Sequence, residues 1–208
     1  MTHPKPFWLH PEKRRRLKDV GRYLGPRQIH ALIMKGTWQY KTQLDYYRAR
    51  DRAFLSLMFE SGLRVCEVIA IRKDQFDFSD SQFIIIKDVE IKKRKAKTIQ
   101  REGIPKIDVV LPLEGELADF TALVETYYRV CETERLFPFG TKRAWAITKH
   151  ITGKWNHYFR SQRISDMMNR QDIPSSDRVA KIVGIKNPQT IAHYYKGSWK
   201  EAREELLK

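Results

Sequence analysis

Apolar positions recur every three or four residues through most of this chain, the spacing that places side chains on one face of an α-helix. The strongest case is DRAFLSLMFESG, residues 51–62, which predicts a buried helix that ends at Ser61-Gly62. The aromatic and polar residues 37–49 are predicted to form a loop that leads into it. Further helices are predicted after Gly25-Pro26, from Glu114 to Leu136, from Thr141 to Ile151 with Trp145 and Ile147 inward, and from Gln189 to Tyr195. A short amphipathic segment that ends at Gly184 has Val179, Ile182 and Val183 as its apolar positions.

Two segments show the pattern of strands instead. Residues 82–93, QFIIIKDVEIKK, are rich in β-branched residues, and residues 107–113, IDVVLPL, predict a partner strand. A long basic turn, RKAKTIQREGIP, connects them. The predicted fold class is therefore mixed α+β and mostly helical, with a small antiparallel β-hairpin or sheet at one edge.

The charge of the chain changes this picture by indicating a partner. The 208 residues include 40 Lys+Arg and 25 Asp+Glu, which gives a net charge of +15. Such an excess favours a polyanion, with double-stranded DNA as the leading candidate. We predict no membrane association, because the longest uncharged apolar runs are only strand-length. Residues 1–22 form a basic arm that either is solvated or follows a phosphate backbone, and residues 23–208 are predicted to form one domain.

The sequence offers no support for a cofactor. Cys66 and Cys131 are far apart and predict buried thiols of an intracellular, cytoplasmic protein rather than a disulfide framework. No cysteine and histidine spacing typical of zinc, no EF-hand loop and no Walker-type glycine loop is present in the sequence. We therefore predict neither a metal nor a nucleotide cofactor.

Candidate chemistry lies near the C-terminus. His157 and Arg160 are one helical turn apart, so both can face one point, and Tyr194 and Tyr195 follow downstream. Arginine, histidine and tyrosine together suit chemistry on a phosphodiester: arginine for charge, histidine for a proton and tyrosine as the nucleophile. The alternative is that H-x-x-R arises by chance and that the tyrosines are packing residues. Arg64 lies two residues after Gly62 and is either part of the site or one half of a surface pair with Glu67.

These segments resemble the tyrosine recombinase (phage integrase) family. Residues 62–77, GLRVCEVIAIRKDQFD, are similar to its first arginine motif, G-L-R-x-x-E-L and a short stretch ending in aspartate, and residues 157–161, HYFRS, to its second, H-x-L-R-H. The nucleophile of the family lies ten residues after a glycine, as Tyr194 does after Gly184. Two motifs in order with a correctly spaced tyrosine are more specific than either motif alone, and the similarity covers residues 23–195. The matching positions are Gly62, Leu63, Arg64, Glu67, Ile71, Asp77, His157, Phe159 and Arg160.

The resemblance implies the catalytic domain of a site-specific recombinase or integrase. Tyr194 would form a 3′-phosphotyrosyl link to DNA, while Arg64, His157 and Arg160 activate the scissile phosphate. The covalent link conserves the energy of the broken bond, so strands are exchanged and resealed without ATP or metal. A type IB topoisomerase-like DNA-relaxing activity and a catalytically impaired DNA-binding relative are the alternatives.

The resemblance also implies a catalytic lysine near the turn of the β-hairpin. We assign this role to Lys93, with Lys95 and Lys87 as the next candidates. The family has a histidine or tryptophan after the glycine, but Ile185 stands there in this chain, and the neighbouring Lys186 is the candidate substitute. Candidate DNA contacts are Lys87, Lys95, Arg163 and Lys186.

The domain organisation implied by the resemblance is incomplete in this chain. The family has a helical core-binding domain of about one hundred residues before the catalytic domain. Residues 1–22 are too few for a packed domain, so we expect the core-binding domain to be absent. The chain would then be a minimal recombinase or a fragment of a longer protein, and we expect a homo-oligomer assembled on DNA.

Overall fold

The computed structural model describes residues 23–36, 40–91, 103–169, 176–185 and 188–189. Within them the chain forms seven α-helices, a 3₁₀ turn and one three-stranded sheet, which confirms the predicted fold class. The helices are α1 (Pro26–Lys35), α2 (Leu44–Ser61), α3 (Val65–Val68), α4 (Ala118–Val130), α5 (Thr141–Thr152), α6 (His157–Asn169) and α7 (Ser176–Ile182). The strands are β1 (Phe76–Asp77), β2 (Phe83–Glu90) and β3 (Lys106–Pro112), and the 3₁₀ turn is Lys73–Gln75.

Helix α2 lies in the main hydrophobic core. Every residue from Ala53 to Ser61 is buried, and the helix packs against α1, α4, α6 and β3. The rings of Phe54 and Phe59 contact those of Phe137 and Phe120. Because burial of each such side chain contributes about 1.5–3 kcal/mol, α2 holds the turn at its C-terminus firmly in place.

The sheet has β2 in the middle, antiparallel to β1 on one side and β3 on the other. Ile84 and Ile86 on β2 and Val109 and Leu111 on β3 are buried, which is the period-two pattern expected of a sheet with one face on the core. The predicted pairing of these strands is confirmed. The predicted turn between them lies mostly outside the described residues.

Two predicted helix boundaries are wrong. Helix α2 begins at Leu44 rather than at residue 51, so the predicted loop is shorter than its sequence indicates. The helix predicted over residues 114–136 is limited to α4, because Gly115 has a φ of +82° before it and Cys131 has an extended backbone after it. The apolar pattern therefore continues past the points where the backbone leaves the helix.

Trp145 points outward, which corrects the prediction that it faces the core. It is 52% exposed, and it directly follows Ala144, the first member of the buried stripe of α5. Successive residues of a helix are turned by about 100°, so Trp145 lies off this stripe. The buried stripe consists of Ala144, Ile147, Thr148 and Ile151.

A second, smaller hydrophobic cluster joins α6 to α7. Of the apolar positions predicted on α7, Val179 and Val183 are buried, whereas Ile182 is 46% exposed and corrects that part of the prediction. This cluster is the main apolar contact that fixes α7 on α6 among the described residues. Its buried members are Ile164, Met167, Val179, Ala180, Val183 and Ile185.

The two cysteines differ in burial. Cys131 is buried, as predicted, whereas Cys66 is only partly buried, and neither forms a disulfide. None of the described helices combines the length and the apolar character that crossing a bilayer requires.

Candidate active site

The first part of the candidate site is the turn between α2 and α3. Gly62 has a φ of +61°, a conformation that glycine adopts readily and that ends α2. The Ser61 hydroxyl donates to the Leu57 carbonyl, and its oxygen accepts the Leu63 amide hydrogen at 3.2 Å. Arg64 follows in an extended conformation as the residue that caps α3. The turn thus places Arg64 between the buried helix α2 and the short helix α3.

The carboxylate of Glu67 fixes both the backbone and the side chain of Arg64. One carboxylate oxygen accepts the Arg64 backbone amide at 2.7 Å, and the other accepts Nη1 at 2.9 Å. The Glu67 side chain is 1% exposed and that of Arg64 is 23% exposed. The predicted pair with Glu67 is present, but it is not an ordinary surface pair, because the carboxylate is buried. A charge-assisted contact of this kind fixes the orientation of the guanidinium.

The second part of the site is Arg160 on α6. Its side chain is fully buried, with Nη1 donating to the Gly62 carbonyl at 2.5 Å and Nη2 to the Val183 carbonyl at 3.1 Å. Gly62 is the residue that ends α2, and Val183 directly follows α7. Arg160 therefore connects the turn that carries Arg64 to the end of α7, and the two arginine motifs meet in space.

Gly184 brings the β-hairpin to the same place. It has a φ of +65°, and a Cβ added there would lie 3.0 Å from Ile91 Cδ1. Ile91 directly follows β2 and is the last described residue before the hairpin turn. Close backbone approach at a glycine thus packs the end of α7 against the base of the hairpin. Position 93 lies two residues beyond this contact.

His157 is exposed at the first residue of α6, one turn before Arg160. Its ring lies edge-on to Trp155, with 6.2 Å between centroids. The predicted helical spacing of His157 and Arg160 is confirmed, whereas the catalytic role of each stays a prediction.

Four predicted site residues fall outside the described residues: Lys93, Lys95, Lys186 and Tyr194. Lys87 is described, on β2, where its ammonium group contacts Asp77 at 2.6 Å. This contact raises the pKa of Lys87 and lowers that of Asp77. Lys87 is 55% exposed, so its role as a DNA contact stays a prediction. Where the structure describes the chain, no cluster of three or more His, Cys, Asp or Glu could hold a metal ion.

Arg163 lies on the inner side of α6 rather than on an open surface. Its Nε donates to the Glu60 carbonyl at 3.0 Å, and its Nη1 contacts Asp166 at 2.6 Å, with the side chains 12% and 5% exposed. Tyr23 donates to the other oxygen of Asp166 at 3.1 Å. The contacts of Arg163 tie α6 to the end of α2, and the role of Arg163 as a DNA contact stays a prediction. The spacing of Arg163 and Asp166 along a helix was the available signal for this pair.

Sequence reasoning missed Glu60. This residue lies two positions before Gly62 and is 4% exposed, and burial raises the pKa of its carboxyl to about 8. An acidic residue at the end of an apolar helix was the only signal in the sequence.

Comparison with known families identifies the chain. The model of the phage integrase family matches residues 38–201, which is most of the 208 residues. The chain belongs to the phage integrase family. The matched range includes both arginine motifs, Gly184 and Tyr194, so the resemblance proposed from the sequence is confirmed.

Solved structures of other tyrosine recombinases share the fold of this phage integrase family member. XerH site-specific recombinase bound to its difH substrate in a pre-cleavage complex matches with a TM-score of 0.63 and 15% identity over 88% of this chain and 52% of that one. XerA recombinase matches with a TM-score of 0.58 and 15% identity over 98% and 65%. The Tn1549 transposon integrase in complex with circular intermediate DNA matches with a TM-score of 0.55 and 13% identity over 89% and 66%.

The chain thus spans about half to two thirds of the length of these recombinases. At such low identity the likeness shows a shared fold. No match to a curated protein sequence was found.

Proposed function

We propose that this chain is the catalytic domain of a site-specific DNA recombinase or integrase, which cleaves and rejoins strands through a 3′-phosphotyrosyl intermediate. The observation that carries the proposal is the bridge made by Arg160 between the Gly62 and Val183 carbonyls. With the contact between Gly184 and Ile91, it gathers the Arg64 turn, α6, the end of α7 and the base of the hairpin. These segments carry Arg64, His157 and Arg160, and they precede Lys93 by two residues and Tyr194 by ten residues along the chain.

In the proposed reaction, the Tyr194 hydroxyl oxygen attacks phosphorus, the bond from phosphorus to the 5′ oxygen breaks, and the tyrosine proton leaves to a base or to solvent. Tyrosine has an ordinary pKa of about 10, so a strongly positive site favours its reactive form. Arg64 and Arg160 would bind the non-bridging oxygens, where charge grows in the transition state, and His157 would donate a further hydrogen bond. Reversal by a 5′ hydroxyl of another strand reseals the DNA.

The leaving 5′ oxygen needs a proton, which we assign to Lys93 on the hairpin. This assignment rests on position: residue 93 follows Ile91, which packs against Gly184. Lys93→Ala should slow cleavage. A 5′-bridging phosphorothiolate substrate should restore the rate of this variant, because its thiolate leaving group needs no proton.

Arg160 has no exposed surface, whereas Arg64 is partly exposed. DNA binding must therefore open the surroundings of Arg160 before its guanidinium can touch a phosphate. We infer that DNA binding rearranges the residues that enclose Arg160.

The decisive experiment traps a covalent protein–DNA adduct. Supercoiled plasmid carrying the DNA that flanks the gene is incubated with the protein, denatured and assayed for protein-linked strands. Wild type and Tyr195→Phe should form the adduct and Tyr194→Phe should not. An adduct that survives in Tyr194→Phe and disappears in Tyr195→Phe would show that the wrong phenol was assigned, and no adduct in wild type would refute the reaction.

One observation favours the catalytically impaired relative as a second candidate. Ile185, at the position where the family has a histidine or tryptophan, is 9% exposed and belongs to the cluster between α6 and α7. A packed isoleucine cannot donate a hydrogen bond to phosphate. Ile185→His should raise the yield of adduct if that donor is missing, and DNA binding without any adduct in either form would favour this second candidate.

The partner we propose is double-stranded DNA inside the cell, bound by a homo-oligomer. The net charge of +15 supports a polyanionic partner. We also propose residues 1–22 as an arm separate from a catalytic domain over residues 23–208. Relaxation of a one-site plasmid without exchange between two sites would instead support the topoisomerase-like alternative.

A further inference from the structure

The carboxyl group of Glu60 is enclosed in the main core, two residues before the turn that carries Arg64. The residue is 4% exposed, and its buried Oε2 has no hydrogen-bond partner among the described residues. A carboxylate in such a position is strongly disfavoured, whereas a neutral carboxylic acid is tolerated. Burial raises the pKa of Glu60 to about 8, against the lowering effects of Thr121 and Arg163.

The geometry around Thr121 points independently to the neutral form. Its Oγ1 lies 2.7 Å from Glu60 Oε1 and 2.7 Å from the Pro112 carbonyl oxygen. A hydroxyl has one hydrogen, and the Pro112 carbonyl can only accept. Both short contacts are satisfied if Thr121 donates to Pro112 and a protonated Glu60 donates to Thr121. A proton on Glu60 thus completes a hydrogen-bond chain from α2 through α4 to the end of β3.

Backbone carbonyls of residues 60–62 accept hydrogen bonds from two arginines of α6. The Glu60 carbonyl accepts Arg163 Nε at 3.0 Å, and the Gly62 carbonyl accepts Arg160 Nη1 at 2.5 Å. The same short segment therefore anchors to α4 and β3 through the Glu60 side chain and to α6 through its carbonyls. A shift of this segment would move Arg64 and Arg160 together.

We propose that Glu60 is a positioning residue that works as a neutral acid, holding residues 60–62 so that Arg64 and Arg160 meet one phosphate. The proposal rests on the proposed function for its effect on cleavage, but not for the protonation state of Glu60. Loss of the proton would break the chain through Thr121 and place a charge in the core.

The charged surroundings of Glu60 favour this assignment. From α6, Arg163 faces it and is itself paired with Asp166, which also accepts from Tyr23. The groups that α4 and β3 contribute to the hydrogen-bond chain are the hydroxyl of Thr121 and the carbonyl of Pro112, and both are neutral. Arg163 is thus the one cation whose field lowers the pKa of Glu60 among the described residues, and its effect is smaller than that of burial.

The sign of the pH dependence follows from the raised pKa. Below about pH 4.5 both folded and unfolded chains hold the proton, so the contribution to stability is complete. As pH rises toward 8, only the folded chain keeps the proton, and stability falls. Above the folded pKa of about 8, the folded chain loses the proton as well, and the arrangement of residues 60–62 changes.

The first test is thermal unfolding of the wild type, Glu60→Gln and Glu125→Gln between pH 5 and 9. Glutamine is neutral at every pH and its amide can donate to Thr121, so the Tm of Glu60→Gln relative to wild type should rise with pH and exceed it by at least about 5 °C at pH 8. Glu125, in a surface pair with Arg129 on α4, is the matched control and should follow wild type. Parallel curves for wild type and Glu60→Gln would overturn the neutral state.

The second test is single-turnover adduct formation at 25 °C on the flanking-DNA plasmid. The ratio of the wild-type rate to that of Glu60→Gln should be near one at pH 6.5 and fall about tenfold by pH 9, as the proton leaves Glu60. Taking the ratio cancels the titration of Tyr194 and the hairpin lysine. Glu60→Ala should be slower at every pH with DNA affinity retained.

A ratio that does not change with pH, or a Glu60→Ala rate equal to wild type, would overturn the positioning role. If wild type forms no adduct at any pH, the proposed function fails. The unfolding curves then decide the state of Glu60 by themselves, because they require no reaction.

Discussion

The two arginines of the candidate site lie in opposite kinds of surroundings. Arg64 rests on the buried carboxylate of Glu67 and keeps 23% of its side chain exposed. Arg160 is fully enclosed and donates to the carbonyls of Gly62 and Val183, which lie in two different parts of the chain. Arg64 therefore keeps part of its side chain open to solvent, whereas Arg160 holds two segments of the folded chain together.

This difference teaches that two residues proposed for one chemical task can contribute very differently to stability. Removing the partly exposed Arg64 opens no cavity in the core, but it takes the guanidinium away from the buried Glu67 carboxylate. The carbonyls around Arg160 belong to backbone that ends α2 and follows α7, so they lose their partner if the guanidinium is removed. Buried acceptors left without a donor are costly.

The largest expected effects come from replacing the two arginines. Arg160→Ala should destabilise the fold by about 3–5 kcal/mol, since it leaves a cavity and two buried carbonyls unpaired. Arg64→Ala should lower stability by less, about 1–3 kcal/mol, because Glu67 still accepts the backbone amide of residue 64 although its buried carboxylate loses the guanidinium. Each should reduce single-turnover adduct formation by about 10²–10³-fold.

Denaturant unfolding and adduct formation measured on both variants separate the two effects. Arg160→Lys is a useful companion, since lysine keeps the charge but cannot bridge two carbonyls with a planar fork. Equal stability losses for Arg64→Ala and Arg160→Ala would contradict the comparison.

Glycine substitutions come next in size and address the turn under Arg160. A Cβ at Gly62 would lie 2.9 Å from Val183 Cγ1, in a backbone with a φ of +61°. Gly62→Ala should therefore cost about 2–4 kcal/mol and lower the rate of adduct formation. Gly153 has a φ of +66° with nothing within 4 Å of an added Cβ, so Gly153→Ala should cost only about 1–2 kcal/mol.

Chemical unfolding of the two variants provides the measurement. Gly153→Ala carries the backbone strain without the contact, so the difference between them reports the close packing of the Gly62 turn on α7. Indistinguishable unfolding midpoints would mean that this packing does not support the enclosed arginine.

The smallest effect is expected at Lys87, which is neither enclosed nor poised over a buried carboxylate. Its ion pair with Asp77 is exposed to solvent, so Lys87→Ala should leave the unfolding midpoint within error of wild type. If Lys87 contacts a phosphate, the variant should bind DNA more weakly and reduce the slope of log affinity against log salt by about 1. Fluorescence anisotropy at several salt concentrations measures this slope, and an unchanged slope would remove Lys87 from the interface.

Much of the fold could be predicted because its local signals agree with its tertiary contacts. Residues 51–62 combine a dense apolar pattern with Ser61-Gly62 at the end, and the alternation in β2 and β3 matches their buried faces. Trp145 shows where this reasoning fails. Its hydrophobicity predicts burial, but its angular position on α5 points it away from the inward stripe, so packing geometry decides.

The site was predicted as a set of residue types, but not as an arrangement. The spacing of His157 and Arg160 and the G-L-R motif were visible in the sequence. The burial of Arg160 was not, because it depends on carbonyls at positions 62 and 183, which are distant along the chain. Glu60 could not be found for the same reason, since its significance arises from Thr121 and Pro112.

The central claim is that Arg64 and Arg160 act on one phosphate, and a double-mutant cycle on the rate of adduct formation tests it most directly. Single-turnover rates are measured for wild type, Arg64→Ala, Arg160→Ala and the double variant, each below its Tm. Groups that act as a unit are strongly non-additive, so the double variant should be only slightly slower than the slower single variant. Losses that multiply across the two positions would contradict the account, because they would mean that the two guanidinium groups work independently.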